Sequence, residues 1–319
     1  MPLDGVVLTP SARLLTTPEV LRVVGLLAAR GVDKVRLTGG EPTLRADLAE
    51  LVRGLRALPG LRTIAMTTNG VTLERALPEL RDAGLTHLNI SLDSLRPARF
   101  AALSRRPEAA WHRVMGAVRA ALAAGLAGPV KLNCVVVRGI NDDEVADFAA
   151  LTNELPVEVR FIELMPFAGN GFAAAQAVGW RESAAAISAR HAGFAPEDSG
   201  GDGPGDGTAR LWRIPGALGR VGFIATMTDA FCGSCSRLRL TADGNVKACL
   251  HGDEEHSVRD ALRAGASDEQ LLDIVIAALR GKHLALGGKG GAEGLAAAAA
   301  ARAPLPAAHK RRSMIEIGG

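Results

Sequence analysis

Short apolar runs rich in β-branched residues alternate, along the first half of the chain, with longer stretches whose apolar residues recur every three or four positions. The short runs predict strands over 34–37, 63–67, 87–92, 130–137 and 157–164. The longer stretches predict helices over 17–30, 45–57, 73–83, 111–124 and 142–153, the first with Thr17 as N-cap and Pro18 at the first helical position. Regular βα alternation predicts a parallel sheet. The polar residues of interest fall where strands end, which favours a TIM-like barrel over a dinucleotide-binding sheet. No G-x-G-x-x-G follows the first strand, in agreement.

After about residue 192 the pattern changes. Residues 197–208 read EDSGGDGPGDGT, an acidic glycine-rich segment without packing potential. Beyond it, 219–228 and 237–249 predict strands, the second folding back at Asp243-Gly244 as a hairpin. The division expected is a barrel over 1–195 and a smaller C-terminal region over 196–319, whose stretch 283–308 is low in complexity. At 319 residues and 48% apolar the chain can build a sizeable core. It contains no uncharged apolar run long enough to span a bilayer, and a cytoplasmic location is expected. A net charge of +3, from 37 basic and 34 acidic residues, is too small to argue for nucleic acid. Anion binding must then come from local clusters.

Such clusters sit on the predicted strands. Lys34 and Arg36 alternate with Val35 and Leu37, so both cations project to one face; buried, they would need an anion. Thr38-Gly39-Gly40-Glu41-Pro42 follows, with glycines that let backbone approach a ligand and a carboxylate that is either a ligand group or a loop anchor. Thr67-Thr68-Asn69-Gly70 and Ser91-Leu92-Asp93-Ser94 end the next two strands with small hydrogen-bonding groups, suited to a ligand or to capping. Lys131, Asn133, Arg160 and Glu163 place polar groups on strands that otherwise read as core. Arg237 and Arg239, again at period two, would clamp an anion the size of a triphosphate.

Three of the four cysteines form C-x2-C-x13-C: Cys232, Cys235 and Cys249. Three thiolates leave one position open on a four-coordinate metal or an iron-sulfur cube. His251, two residues beyond, would complete a Cys3His zinc site, and spacing alone does not choose between zinc and iron-sulfur. A disulfide is disfavoured by the odd count in the cluster. Cys134 lies in the apolar run 130–137 and reads as packing.

Taken in order, KVRLTGGEPTLR, MTTNG, NISLDSL, VKLNCVVVRGIN, VRFIELMPF, FCGSCSRLRLTADGNVKACLHG and the terminal IGG resemble the GTP 3′,8-cyclase family, radical S-adenosylmethionine enzymes that begin molybdenum cofactor biosynthesis. The resemblance covers nearly the whole chain. It implies that Gly40, Ser91 and the backbone at Met165 contact S-adenosylmethionine. Arg36, Thr67, Lys131, Arg237, Leu238 and Arg239 would contact GTP, with Lys34 and Arg160 as further triphosphate ligands. Cys232, Cys235 and Cys249 would hold a C-terminal [4Fe-4S] cluster whose open iron meets guanine. The implied reaction cleaves S-adenosylmethionine reductively, abstracts hydrogen from ribose C3′ and closes a bond to guanine C8. The implied partners are an electron donor and cyclic pyranopterin monophosphate synthase, which takes the product; a homodimer is compatible with the family.

Family members carry a C-x3-C-x2-C loop after the first barrel strand, ending just before a Met-Pro pair that aligns with Met1-Pro2. The expectation is therefore an incomplete (β/α)6 barrel lacking its first strand, with the second [4Fe-4S] cluster present only in a longer form. The chain as written would not generate the radical; the alternative is a non-catalytic GTP- or cluster-binding remnant.

Overall fold

A computed structural model describes residues 9–167, 170, 173–197, 208–229, 232–282, 288, 294 and 297. Most of the acidic glycine-rich segment, most of 283–308, and Met1-Pro2 and Gly318-Gly319 lie outside the described residues. The fold is mixed α/β around a parallel sheet. Its strands are β1 (Lys34–Leu37), β2 (Thr63–Thr68), β3 (His87–Ser91), β4 (Val130–Val136), β5 (Val157–Glu163), β6 (Ala195–Pro196), β7 (Arg210–Arg213) and β8 (Arg220–Ile224). The spatial order is β1-β2-β3-β4-β5-β8-β7-β6; the first six run parallel, and β7 and β6 close the far side antiparallel. All five strands expected in the first half are present. The sixth parallel strand, β8, comes from beyond residue 195, so the main sheet reaches past the expected boundary.

Helices α1 (Thr17–Ala28), α2 (Leu48–Ala57), α3 (Leu73–Ala83), α4 (Pro97–Ser104), α5 (Ala109–Ala123), α6 (Val145–Glu154) and α7 (Trp180–Arg190) connect these strands. The cap of α1 is Thr16, not Thr17. Glu19 at the third helical position decides this, because it closes a capping box: its backbone N–H donates to Thr16 Oγ1 at 3.4 Å, while its carboxylate accepts from the Thr16 N–H at 2.8 Å. Thr17 instead donates its hydroxyl to Asp47 Oδ2 at 2.6 Å. That contact and the Arg45–Asp47 ion pair occupy the residues expected to begin the second helix, which starts only at Leu48.

Alternation sorts the sheet into two faces. Ile64, Met66, Leu88, Ile90, Leu132, Val159, Phe161, Val221 and Phe223 are buried against the helices in one apolar core. The intervening positions carry polar side chains to the other face.

The C-terminal part is smaller: β9 (Arg239–Leu240), β10 (Asn245–Lys247) and β11 (His256–Ser257) form an antiparallel sheet, followed by α8 (Val258–Arg263) and α9 (Asp268–Arg280). The hairpin turns where expected, with Gly244 at φ +78°; a Cβ there would stand 2.4 Å from Arg259 Cβ, so the close approach requires glycine. A second apolar cluster of Val246, Val258, Leu271, Val275 and Ala278 packs on Val23 of α1, while the next residue, Val24, belongs to the main core.

Polar contacts reinforce that seam. Arg263 on α8 donates to Glu19 Oε1 at 2.8 Å and to the Leu14 carbonyl at 3.0 Å, and Arg22 pairs with Asp268 at 2.8 Å. The Arg263 hydrogen bond, outweighing partial burial and helped by the Thr16 contacts, brings the Glu19 carboxyl down to about 2. A depressed carboxyl stabilises the fold fully above its unfolded value near 4.5 and loses that contribution as pH falls toward 2. Glu19→Gln should therefore lower unfolding free energy by about 1 kcal/mol at pH 7, with the gap to the parent narrowing in chemical denaturation as pH drops below about 4; a gap independent of pH would contradict the assignment.

Candidate functional site

The polar face is built in rows across the parallel strands. Register places Thr67 beside Asn89, Lys131, Glu158 and Arg220 on five successive strands, and Ser91 beside Asn133, Arg160 and Gly222 in the next row. Arg36 on β1 reaches the first row, donating to Thr67 Oγ1 at 3.4 Å. The structure thus brings Arg36, Thr67, Lys131 and Arg160, expected from sequence to act together, onto one surface. Lys34 shares the Arg36 side of β1 but is exposed at the strand's start.

Cations outnumber carboxylates on this face. Glu158, 2% exposed, pairs with Lys131 Nζ at 3.1 Å and Arg220 at 2.9 Å and lies 3.8 Å from Arg160 Nε. Arg160, 7% exposed, also donates to Asn133 Oδ1 at 2.9 Å. Burial, only partly offset by Glu158, together with the Arg36 charge, brings the Arg160 guanidinium down to about 10. Burial likewise lowers Lys131 despite Glu158, with Arg160 and Arg220 acting in the same direction. Arg36 is lowered by burial. Buried cations that disfavour one another would be stabilised by an anion placed among them. Gly222 makes room for this packing, since a Cβ would meet Arg160 Cγ at 3.3 Å and Ala209 Cβ at 3.0 Å.

The glycine loop after β1 is held open by its own carboxylate. Glu41 Oε1 accepts from the Thr43 N–H at 3.2 Å and the Thr68 hydroxyl at 2.5 Å, and Oε2 accepts from the Asn69 N–H at 2.7 Å. Glu41 is therefore a loop anchor. Gly40 beside it has φ +55° with open space where a Cβ would stand, leaving its backbone accessible. Ser94 is likewise an anchor: it is fully buried and donates to Glu144 at 2.8 Å. Asp93 accepts from the Val135 N–H at 2.9 Å, and burial raises its carboxyl. Glu163 accepts from the backbone of Trp180, Met227 and Thr228. Ser91 remains half-buried on the polar face.

Past β5, the Met165 carbonyl accepts from Asn170 Nδ2 at 2.8 Å. Phe167 stacks on His251 with ring centroids 5.0 Å apart, which brings the cysteine segment to this end of the sheet. His251 is thus engaged by an aromatic ring, which bears against its reading as a zinc ligand. Cys232, Cys235 and Cys249 are half-buried, and none of them forms a disulfide among the described residues. Among the described residues no three His, Cys, Asp or Glu side chains converge to hold a metal ion, so the cysteines are not a preassembled cage. Their donor chemistry still suits a metal centre. Burial alone would raise the Cys235 thiol, but hydrogen bonds from the Arg237 side chain and backbone, with the charges of Arg237 and Lys282, bring it down to about 7. Arg239, lowered by burial and by Arg237, feels the countering charge of both Cys249 and Cys235. Lys282, at the end of α9, ties the loop by donating to the carbonyls of Cys235 and Arg237. Cys134 is buried and raised well above the ordinary thiol range by desolvation, as expected of packing.

Sequence reasoning missed Asn89, Glu158, Arg220 and Gly222. The signal was the same period-two alternation that exposed Lys131 and Arg160; Glu158 is two residues from Arg160, and Asn89 two from Ser91.

Residues 7–152 match the Radical SAM superfamily, and 157–286 match Molybdenum Cofactor Synthesis C. The chain is 50% identical over 281 residues to "Molybdenum cofactor biosynthesis protein 1" of Mus musculus, covering 88% of this chain and 43% of that protein. It is 47% identical over 288 residues to "GTP 3′,8-cyclase, mitochondrial" of Arabidopsis thaliana, covering 90% and 72%. Against "GTP 3′,8-cyclase" of Heliobacterium modesticaldum the identity is 44% over 288 residues, covering 88% and 85%. The chain thus spans less than half the length of its mammalian relatives.

Removing Glu158 should expose the charge imbalance, because Glu197 reaches only Arg220 of these cations, at 3.5 Å. Glu158→Ala is expected to destabilise the chain by about 3 kcal/mol, and sodium tripolyphosphate should raise its melting temperature more than it raises that of the parent. Equal shifts in thermal denaturation would argue that the cations do not act as one anion site.

Proposed function

Because this chain belongs to the GTP 3′,8-cyclase family of radical S-adenosylmethionine proteins, we propose that its site is built for the conversion of GTP to (8S)-3′,8-cyclo-7,8-dihydroguanosine 5′-triphosphate in molybdenum cofactor biosynthesis, and that these 319 residues, which contain no C-x3-C-x2-C, bind GTP and one cluster without themselves generating the radical. The observation that carries the reading is the excess of cations over carboxylates on the polar face, where Lys131, Arg160 and Arg220 surround Glu158 and only Arg220 also reaches Glu197. In this reading Arg36, Lys131 and Arg160, with Lys34 at the rim, hold the triphosphate, and Thr67 fixes Arg36. Arg237, Leu238 and Arg239 approach the nucleotide from the C-terminal side. Gly40, Ser91 and the Met165 backbone receive S-adenosylmethionine: Gly40 by open backbone, Ser91 by its hydroxyl. Cys232, Cys235 and Cys249 are assigned to one [4Fe-4S] cluster, the thiols gathering as it binds, since metal binding and local folding are coupled. When bound, these cofactors supply the one-electron chemistry of the family. The protein's share is to hold both ligands in fixed orientation, so that reaction is confined to one position.

The parallel strands β1–β5 and β8 are proposed as the barrel portion, with β9–β11, α8 and α9 as the iron-sulfur portion. Among the described residues no helix is long and apolar enough to cross a membrane. Cysteines without a disulfide among the described residues fit a reducing compartment, and the cytoplasm is proposed. An electron donor and cyclic pyranopterin monophosphate synthase are the proposed partners.

The test is anaerobic reconstitution of the 319-residue chain, followed by calorimetric titration with GTP. Acid-labile sulfide with iron at roughly four per cluster is expected, lost in Cys235→Ala. Arg237→Ala and Arg239→Ala should each weaken GTP binding by about 1.5 to 3 kcal/mol. Zinc without sulfide, or GTP affinity unchanged in both arginine variants, would overturn the assignment.

A further inference from the structure

Asn89 is the unexplained polar residue of the sheet. Its neighbours in β3, Leu88 and Ile90, point into the apolar core, and Asn89 itself lies on the polar face, between Thr67 of β2 and Lys131 of β4. It is 2% exposed, and its Oδ1 has no hydrogen-bond partner. A buried unpaired carbonyl is costly, and a valine or threonine would suit the middle of a parallel strand better. The acceptors around it are engaged: Thr67 Oγ1 takes Arg36, Asn133 Oδ1 takes Arg160, and Glu158 takes Lys131 and Arg220. Thr67 and Lys131 on either side are only half-buried, so the face is open beside the orphan atom.

An amide oxygen cannot bond a phosphate oxygen, because both are acceptors. What it requires is an O–H or N–H from the ligand that the surrounding cations attract. In a nucleoside triphosphate the donors nearest the phosphates are the sugar hydroxyls. We infer that Asn89 Oδ1 accepts a hydrogen bond from a ribose hydroxyl of the bound nucleotide and makes the site select ribonucleotides over deoxyribonucleotides. The inference rests on the GTP-binding reading above and adds a specificity-determining residue to it. Its physical basis is asymmetric: an analogue lacking the hydroxyl leaves the buried acceptor unpaired, so the site rejects it beyond the loss of one contact.

The test is calorimetric binding of GTP, 2′-deoxy-GTP and 3′-deoxy-GTP to the full chain, which needs no turnover. The parent should bind at least one deoxy analogue roughly tenfold or more weakly than GTP. Asn89→Ala and Asn89→Val should bind GTP more weakly and lose that discrimination. Without nucleotide both variants should melt at or above the parent temperature, since an unpaired buried group has been removed. Full discrimination retained in the variants, no discrimination in the parent, or melting well below the parent in both would each overturn the inference while leaving GTP binding intact. Absence of GTP binding to the parent would instead defeat the functional reading, and this inference with it.

Discussion

Glu158 holds three cations from a position almost closed to water, and the arrangement of the polar face follows from that shortage of negative charge. Two opposite charges removed from solvent can compensate one another; several positive charges around one carboxylate cannot. Burial lowers the guanidinium of Arg36 and the ammonium of Lys131, and Arg160 is depressed further by Arg36. A sheet whose opposite side is a continuous apolar core cannot swing these groups away, because a one-residue slip would exchange the faces. The imbalance is fixed in the backbone register.

Much of this was legible in the chain because the sheet's period is two. Lys34 and Arg36, or Lys131 and Asn133, declare a shared face as soon as the strand is recognised. The five strands of the first half were found from their β-branched runs. What could not be read was which strand neighbours which: β8 joins the parallel sheet beside β5 after a connection that includes α7 and two antiparallel strands. Glu158 therefore gained its partner Arg220 from 62 residues away, a pairing without local signature. The α1 cap was misplaced by one residue because two threonines stand in tandem and only Glu19 selects between them. The cysteine spacing suggested a ligand set, but not that Arg237, Arg239 and Lys282 would gather around its thiols.

Carboxylates at strand ends illustrate the same limit. Glu41, Asp93 and Glu163 stand in sequence as polar groups at strand ends, and Glu144 lies just before α6. In the structure each accepts a backbone N–H from a neighbouring segment, Asp93 from Val135 of β4 and the others from loops. A loop built around such an acceptor has its orphan donors satisfied from within, so it keeps its shape without help from a ligand. The positions left over, and proposed to meet the ligands, are the cations, the open backbone at Gly40 and the hydroxyl of Ser91.

Val23 and Val24 are consecutive residues in α1, yet they face different apolar cores. A helix shared in this way makes the two parts of the chain one cooperative unit, because melting it exposes both interiors at once. Free energy gained by a ligand at either part is then distributed to the other through this helix, without any change of shape. Two sheets that share no strand are joined by the thermodynamics of twelve residues.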